Sequence, residues 1–295
     1  MVSENTAIIS GIVIGWGETA RPEHRILAFD KRNGQLVWNQ GTKPLPEDTT
    51  YSAPVMTVIQ GQTQFILGCG DGAVYSFQPR TGKQIWKYEV SGRGLNTTPV
   101  VADDMVICGH SEENIDDTKM GAIFAVDATK SGDLTKTGEI WRLKEQFVGK
   151  TQPVVVGDRV YAIQDNGSFV VYDLKTGDMV GKQRLGTMGR GSPLYADGKF
   201  YCTDANGRWY IFETAENGLK LVHRMRMDAE INGSPIVSHG RIYLPTDLAM
   251  YCIGFENAKP QADPIPPMAA ETPLEQDEKV AQAVVIPGES LLKPG

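Results

Sequence analysis

Four short loops hold one set of residues that could bind a partner, and each loop comes just before a proline. An arginine or a lysine lies in three of these loops, together with side-chain amides and a hydroxyl. Such groups donate hydrogen bonds to carboxylates and peptide carbonyls, so the loops predict a polar ring that meets an anionic or peptide partner. The alternative is a set of solvated loop residues. The candidates are Arg93 and Asn96, Lys150 and Gln152, Arg190 and Ser192, and Glu230 and Asn232.

A second candidate site is the oxygen-rich segment 110–117, which reads His-Ser-Glu-Glu-Asn-Ile-Asp-Asp. Carboxylate oxygens are the ligands that calcium prefers. The spacing does not match the pattern of a calcium-binding loop, so we predict an acidic surface loop, long enough to reach a partner, and no metal site. His110, beside the acidic residues, is the only histidine that we assign to binding.

Trp16 stands between Gly15 and Gly17 in a long loop. An exposed aromatic ring flanked by glycines can stack on a sugar or on a protein, so both carbohydrate and protein are candidate partners. Packing of Trp16 inside the fold is equally compatible with the pattern. The chain has no G-x-S-x-G motif, no C-x-x-C pair and no histidine pair at metal-ligand spacing. We therefore predict no catalytic residue and no metal ligand.

Charge and composition exclude other classes of function. The formal net charge is -7, which argues against nonspecific nucleic-acid binding, because phosphates need a concentrated basic surface. No apolar run approaches the roughly 20 residues of a membrane-spanning helix, so no membrane span is expected. Met1–Asn5 lacks a signal-peptide pattern, and we expect the chain to be truncated at both ends. Four cysteines lie in apolar runs and are predicted to be buried, inert thiols: Cys69, Cys108, Cys202 and Cys252.

The elements that position these loops repeat along the chain. Each unit opens with a small or polar residue, a proline and aliphatic residues, and successive prolines are 45, 54, 40 and 42 residues apart. Within a unit, short apolar runs alternate with turns such as Gly-Asp and Asn-Gly, which predicts four strands. A period near 40 to 45 residues with four strands indicates a β-propeller blade. The opening prolines are Pro54, Pro99, Pro153, Pro193 and Pro235.

We predict an all-β propeller of about six blades. The first covers Thr6–Gln40, with Ala7–Ile9 and Ile12–Ile14 as separate inner strands. The sixth is incomplete, with three strands that end at Ile253. Trp38, Trp86 and Trp141 share one repeat position on the outermost strand, where we expect them to pack across the joint to a neighbouring blade. Val180 and Leu221 hold this position in later blades, so those joints should be less well filled.

The composition changes after the sixth blade, and this divides the chain. Seven prolines and the acidic segment Glu271–Glu278 follow Glu256, and such a composition predicts an extended or disordered acidic tail. The end of the chain, with a β-run and then Leu-x-Pro-Gly, resembles the first strand of a bacterial immunoglobulin-like domain. The predicted domains are a propeller at 1–255, a Pro-rich acidic linker at 256–282 and a truncated immunoglobulin-like start at 283–295.

The repeat pattern Ser-Pro-Val-Val, strand, Asp-Gly, strand, Ala-x-Asp-x-x-Thr-Gly-x-x-x-Trp resembles the pyrroloquinoline-quinone-like (PQQ-like) propeller repeat over residues 6–254. The resemblance implies a bacterial protein of the cell envelope or periplasm, or a secreted one. The repeat is shared by quinoprotein alcohol dehydrogenases and by a scaffold of the outer-membrane protein assembly machinery. Both groups typically have eight blades, so six imply an open arc from a longer ring or a smaller closed ring.

The resemblance leaves two functional hypotheses. The first is a non-catalytic binding or scaffold module that uses loops on one propeller face and needs no cofactor. The alternative is a quinoprotein-type oxidoreductase that depends on PQQ and calcium. The enzymes usually carry adjacent cysteines over the quinone, and some carry a C-x-x-C-H haem site. Neither pattern occurs in this chain, so the first hypothesis is preferred.

Overall fold

Every regular element of the computed structural model is a β-strand within the residues that it describes, which are 1–13, 23–44, 49–255, 262 and 270–271. The strands form six sheets that follow one another along the chain, and each sheet is one blade. The predicted all-β propeller with about six blades is confirmed. Within the described ranges no helix has the length and apolarity to span a membrane.

Blade 1 departs from the predicted strand pattern. The expected separate strands Ala7–Ile9 and Ile12–Ile14 are wrong, because one strand runs from Thr6 to Val13. It pairs without interruption with the next strand, and Ser10 and Gly11 take part in this pairing, so they do not form a turn. The partner strand satisfies their backbone groups and keeps them extended. The strands of blade 1 are β1 (Val2–Ser3), β2 (Thr6–Val13), β3 (Glu23–Asp30) and β4 (Leu36–Pro44).

Blades 2 and 3 are linked by an extra strand. Blade 2 holds β5 (Val55–Ile59), β6 (Gln62–Gly68), β7 (Ala73–Phe77) and β8 (Gln84–Glu89). Blade 3 holds β9 (Val100–Ala102), β10 (Met105–Glu113) and β11 (Met120–Asp127), then β12 (Gly132–Asp133) and β13 (Glu139–Lys144). Strand β12 leaves its own blade and pairs in parallel with β8, which makes blade 2 five-stranded.

Blades 4 and 5 are regular, and blade 6 has three strands among the described residues, as predicted. Inner hairpins in several blades turn through two residues of positive φ, the geometry of a type I′ turn. In blade 6 these residues are His239 and Gly240, so His239 has the turn role that its repeat position indicates. The strands are β14 (Val154–Val156), β15 (Arg159–Ile163), β16 (Ser168–Asp173), β17 (Met179–Arg184), β18 (Leu194–Ala196), β19 (Lys199–Asp204), β20 (Arg208–Ala215), β21 (Gly218–Arg226), β22 (Ile236–Ser238), β23 (Arg241–Pro245) and β24 (Met250–Ile253).

Apolar clusters fill the joints between successive blades. The three repeat tryptophans are buried in the first three joints, as predicted. Trp38 Nε1 donates to the carbonyl of Pro79 in the next blade at 2.9 Å, and Trp141 Nε1 donates to Leu174 at 2.9 Å. Burying an indole of about 150–250 Å² contributes roughly 4 to 6 kcal/mol as an upper estimate. The tryptophans therefore act as inter-blade contacts.

The later joints have no tryptophan at this repeat position, and the prediction that Val180 and Leu221 hold it is wrong. Each tryptophan pairs with the residue just before a bulge in the neighbouring strand, and the residues paired there in blades 4 and 5 are Gly181 and His223. Gly181 has no side chain and His223 is exposed, so both joints lack a buried indole. The clusters join the blades in chain order, and among the described residues none joins blade 6 back to blade 1. The outermost described strand of blade 6, β24, is exposed along its length, with Met250 at 62% and Ile253 at 43%.

The cysteine prediction is correct for three residues and wrong for one. Cys69, Cys108 and Cys202 are buried, and burial raises the pKa of each thiol, to about 12 for Cys108. Cys252 is exposed, because the outer face of β24 has no neighbouring strand or blade among the described residues. The predicted linker at 256–282 and immunoglobulin-like start at 283–295 lie outside the described residues, apart from positions 262, 270 and 271.

Candidate functional site

A polar cavity opens where the innermost strands of successive blades begin. Strands β9 and β14 contact each other, as do β18 and β22, so the innermost strands surround a common axis. The loops before these strands lie at one end of the blades and enclose a volume of about 420 Å³. We call this cavity the channel mouth. Its lining residues come from blades 2 to 5 and are Tyr51, Asn96, Thr98, Lys150, Gln152, Arg190 and Ser192.

The lining residues occupy constant positions within the repeat. Each lining residue stands three positions or one position before the proline that opens a blade. The residue between them is buried and bonds within the protein. Thr97 Oγ1 donates to Val148 O at 2.6 Å, and Thr151 Oγ1 donates to Ile163 O at 2.5 Å. Side chains of extended residues point alternately to two sides. The middle residue therefore anchors the loop by its hydrogen bond, and the residues before and after it point into the mouth.

Hydroxyl groups tie the loops of neighbouring blades together. Thr98 Oγ1 accepts the N–H of Ala53 at 3.0 Å. Ser192 Oγ accepts the N–H of Gln152 at 2.8 Å, and the N–H of Ser192 bonds Ser234 Oγ at 2.8 Å. Each such bond contributes about 0.5 to 1.5 kcal/mol. Together they fix the lining residues of different blades relative to one another, so the mouth is formed before any partner binds.

Two cations stand on the wall of the mouth. Lys150 Nζ lies 3.4 Å from Asp165 Oδ2, and its side chain is 56% exposed. Arg190 Nη1 donates to Asn232 Oδ1 at 3.0 Å. Asn232 in turn donates to Asp247 at 3.2 Å, so the amide that contacts Arg190 is held in place. Arg190 is in no ion pair among the described residues, and its contact is to a neutral group.

The structure brings together five of the predicted binding residues and leaves others aside. One cavity is lined by Asn96, Lys150, Gln152, Arg190 and Ser192, with Asn232 at its edge. Arg93 does not line it: its Nε lies 3.1 Å from Glu113 Oε2. Glu230 is exposed outside the lining, where its backbone carbonyl accepts the N–H of Asp247 at 3.0 Å. Trp16 lies outside the described residues, so its role stays a prediction.

Sequence reasoning missed Tyr51 and Thr98 as lining residues. Tyr51 is 80% exposed and occupies the position equivalent to Asn96, Lys150 and Arg190. The signal was present in the constant distance of these residues from the opening proline.

The segment 110–117 packs against the propeller and does not project. The N–H of Gly92 in blade 2 donates to Glu113 O at 2.8 Å. Lys144 Nζ lies 2.5 Å from Asp117 Oδ2 and 2.9 Å from Asp116 Oδ1. Hydrogen bonding from Lys144 lowers the pKa of Asp117. The carboxylates are thus neutralised by the protein's own cations, and the expected reach toward a partner is not seen.

His110 is 1% exposed, beside the ring of Phe124. Burial lowers its pKa to about 4, so the imidazole is neutral at pH 7. The hypothesis of a surface binding role for His110 is therefore not supported, because its ring lies inside the fold. The sequence did not predict this burial, because His110 directly precedes an acidic segment that is typical of an exposed loop.

The residues of the mouth do not fit a quinone held by calcium. Calcium takes several oxygens, normally with carboxylates among them, and the seven lining residues include no Asp or Glu. Across the described ranges no group of three or more His, Cys, Asp or Glu could hold a metal ion. The donors of the mouth are cations, amides and hydroxyls, which suit an anion or a peptide.

Comparison with known proteins identifies similar chains. A family model described as outer membrane protein assembly factor BamB matches residues 22–253. The chain is 24% identical over 226 residues to the BamB of Moranella endobia, covering 72% of this chain and 54% of that protein. It is 24% identical over 262 residues to the BamB of Salmonella typhimurium, covering 73% and 65%. The chain thus spans between about half and two thirds of the length of these relatives.

A solved structure shares the fold. The crystal structure of BamB from Moraxella catarrhalis superposes with a TM-score of 0.58 at 17% sequence identity. The match covers 77% of this chain and 66% of that one. At this identity the likeness establishes the propeller architecture and leaves the binding residues to be argued from this chain.

Proposed function

Because this chain belongs to the family of outer membrane protein assembly factor BamB, whose model matches residues 22–253, we propose that it is a non-catalytic propeller scaffold of the bacterial cell envelope. In this role it binds a protein partner in outer-membrane protein assembly. The partner docks on the propeller face that carries the channel mouth. The predicted oxidoreductase alternative is not pursued, because the mouth lacks the carboxylates and the sequence lacks the adjacent cysteines of such enzymes.

The observation that carries the proposal is the preformed lining of the mouth. Seven polar or aromatic side chains from four blades converge on a cavity of about 420 Å³. That volume accepts a few side chains of a partner. A stable protein interface covers about 800 Å² on each partner, so the surrounding loops must supply the rest of the contact. We expect Arg93, which is exposed in the loop before blade 3, to contribute to that contact.

Site-specific photocrosslinking tests the proposal. Tyr51 is replaced by p-benzoylphenylalanine, which keeps an exposed aromatic ring at the mouth. The matched control places the same residue at Met179, which is 46% exposed at the start of the outer strand β17. In the bacterium that encodes the chain, we expect position 51 to crosslink a component of outer-membrane protein assembly and position 179 not to do so. Crosslinks at position 179 alone, or at neither position, would refute docking on this face.

A further inference from the structure

We propose that the channel mouth recognises an acidic segment of its protein partner, with Lys150 and Arg190 binding the carboxylates. This inference rests on the proposed scaffold function and specifies the partner's chemistry. The chain has a formal net charge of -7, yet the lining of the mouth contains two cations and no acid. A recess of one sign concentrates ligands of the opposite sign.

Arg190 has the geometry for a carboxylate. Its one hydrogen bond among the described residues runs from Nη1 to the neutral oxygen of Asn232. That contact orients the guanidinium without neutralising it. The remaining N–H groups of the planar fork can bind a carboxylate in the two-bonded manner that a lysine cannot reproduce.

Lys150 is only loosely held by its own acid. Asp165 lies at 3.4 Å, and the same carboxylate also accepts from Ser111 Oγ at 2.8 Å and from the N–H of Gly149 at 3.3 Å. Asp165 is therefore shared among three donors, and more than half of the Lys150 side chain stays in water. An incoming carboxylate can approach the ammonium group without first breaking a tight buried pair.

The wall of the mouth favours a peptide over a phosphate. Phosphates commonly bind to sets of open backbone N–H groups. Here the N–H groups of Tyr51, Gln152 and Ser192 already donate to side chains of the next blade. Gln152 Nε2 also donates to Pro99 O at 3.1 Å. Among the described residues this leaves open the exposed Tyr51 ring, the Asn96 amide nitrogen and the Gln152 amide oxygen, which suit the apolar and backbone parts of a peptide.

The test is a binding titration with a defined probe. An acetylated, fluorescein-labelled peptide of alternating glutamate and glycine is titrated with the full chain at about 20 mM salt, where screening is weak. The same peptide with glutamine in place of glutamate is the ligand control. The variant is Lys150→Gln with Arg190→Gln. Its matched control is Lys182→Gln with Arg184→Gln, which removes the same two charges from exposed positions on β17.

We expect the acidic peptide to bind the native chain and the Lys182/Arg184 variant with the same Kd within about twofold. Loss of Lys150 and Arg190 should weaken binding at least about tenfold. The glutamine peptide should bind none of the proteins. As a second variant, Lys150→Glu with Arg190→Glu should instead bind a peptide of alternating lysine and glycine. Equal weakening by both charge-removing variants would overturn the inference, because it would mean nonspecific attraction. Equal binding of the glutamine peptide, or full competition by inorganic phosphate at the peptide's own concentration, would also overturn it.

The crosslink at position 51 separates this inference from the proposed function. If that crosslink is unchanged in the Lys150/Arg190 variant, the partner docks at the mouth without its carboxylates, and only the present inference fails. If the crosslink is absent in the native chain as well, the proposed function fails. Unchanged thermal melting of each variant confirms that the loss of binding does not come from unfolding.

Discussion

The turn glycine of blade 2 provides a direct test of how the blades are joined. Gly82 has a φ of +72°, and a Cβ at this position would lie 2.6 Å from Cδ2 and Cε3 of Trp38. Gly34 holds the same repeat position in blade 1, with a φ of +73° and no atom within 4 Å of its Cβ position. An alanine would be strained in the same way at both positions because the φ values are alike, but only position 82 has a tryptophan beside it. Gly82→Ala with Gly34→Ala as control therefore isolates the inter-blade contact.

The expected magnitudes follow from two separate costs. An alanine in the left-handed region costs about 1 to 2 kcal/mol, and this cost applies to both variants. Forcing a methyl group into the face of a buried indole adds roughly 1 to 3 kcal/mol, as overpacking of cores does. We expect Gly82→Ala to lower the free energy of unfolding by about 2 to 5 kcal/mol in total. Gly34→Ala should cost only the backbone part, about 1 to 2 kcal/mol.

Urea denaturation followed by tryptophan fluorescence and by far-UV circular dichroism measures the difference. The two signals must coincide before a single free energy is extracted, because arrays of repeats can unfold in stages. Adding Trp38→Ala to Gly82→Ala supplies a double-mutant cycle, in which the alanine at 82 should then cost no more than at 34. Equal destabilisation by the two single glycine variants would refute the argument that Trp38 sets this constraint.

Three further predictions concern other parts of the molecule. Unfolding exposes His110 and restores its ordinary pKa, so the unfolded chain binds a proton at His110 that the native state does not bind as the pH falls from about 6.5 to about 4. The native state therefore loses roughly 3 kcal/mol of stability over this range. Denaturation of His110→Leu at a series of pH values should show a smaller loss. Arg80 Nη2 lies 2.5 Å from Glu4 Oε1 and 2.7 Å from Glu271 Oε2. Because these pairs are partly exposed, Arg80→Gln should cost less than about 1 kcal/mol but speed amide exchange at Glu271. A thiol reagent should label Cys252 rapidly in the native protein, with Cys69, Cys108 and Cys202 reacting only on unfolding; rapid labelling of more than one thiol would contradict their burial.

The candidate site was predicted in part, and the misses have physical causes. The general rule that loops carry the binding groups of a rigid scaffold predicts five lining residues, which are Asn96, Lys150, Gln152, Arg190 and Ser192. Arg93 stands outside the cavity because it pairs with Glu113, a residue of the insertion in the next blade. Whether a loop cation turns to the axis or to a local carboxylate depends on which acid the fold places beside it, and spacing along the chain does not contain that information.

The sequence by itself determined the number of blades, the incomplete sixth blade and the packing of the repeat tryptophans, because these follow from local periodicity and turn chemistry. Only the tertiary structure decided that blade 1 has one long inner strand, that β12 crosses to blade 2 and that His110 is buried. It alone also decided that the positions three and one before the opening prolines of blades 3 to 5 converge at one mouth, together with Tyr51 of blade 2. That convergence depends on the angle between neighbouring blades, which is set by the joint clusters and the hydroxyl bonds between loops. Such contacts join residues 40 or more positions apart, and no local pattern specifies their distance.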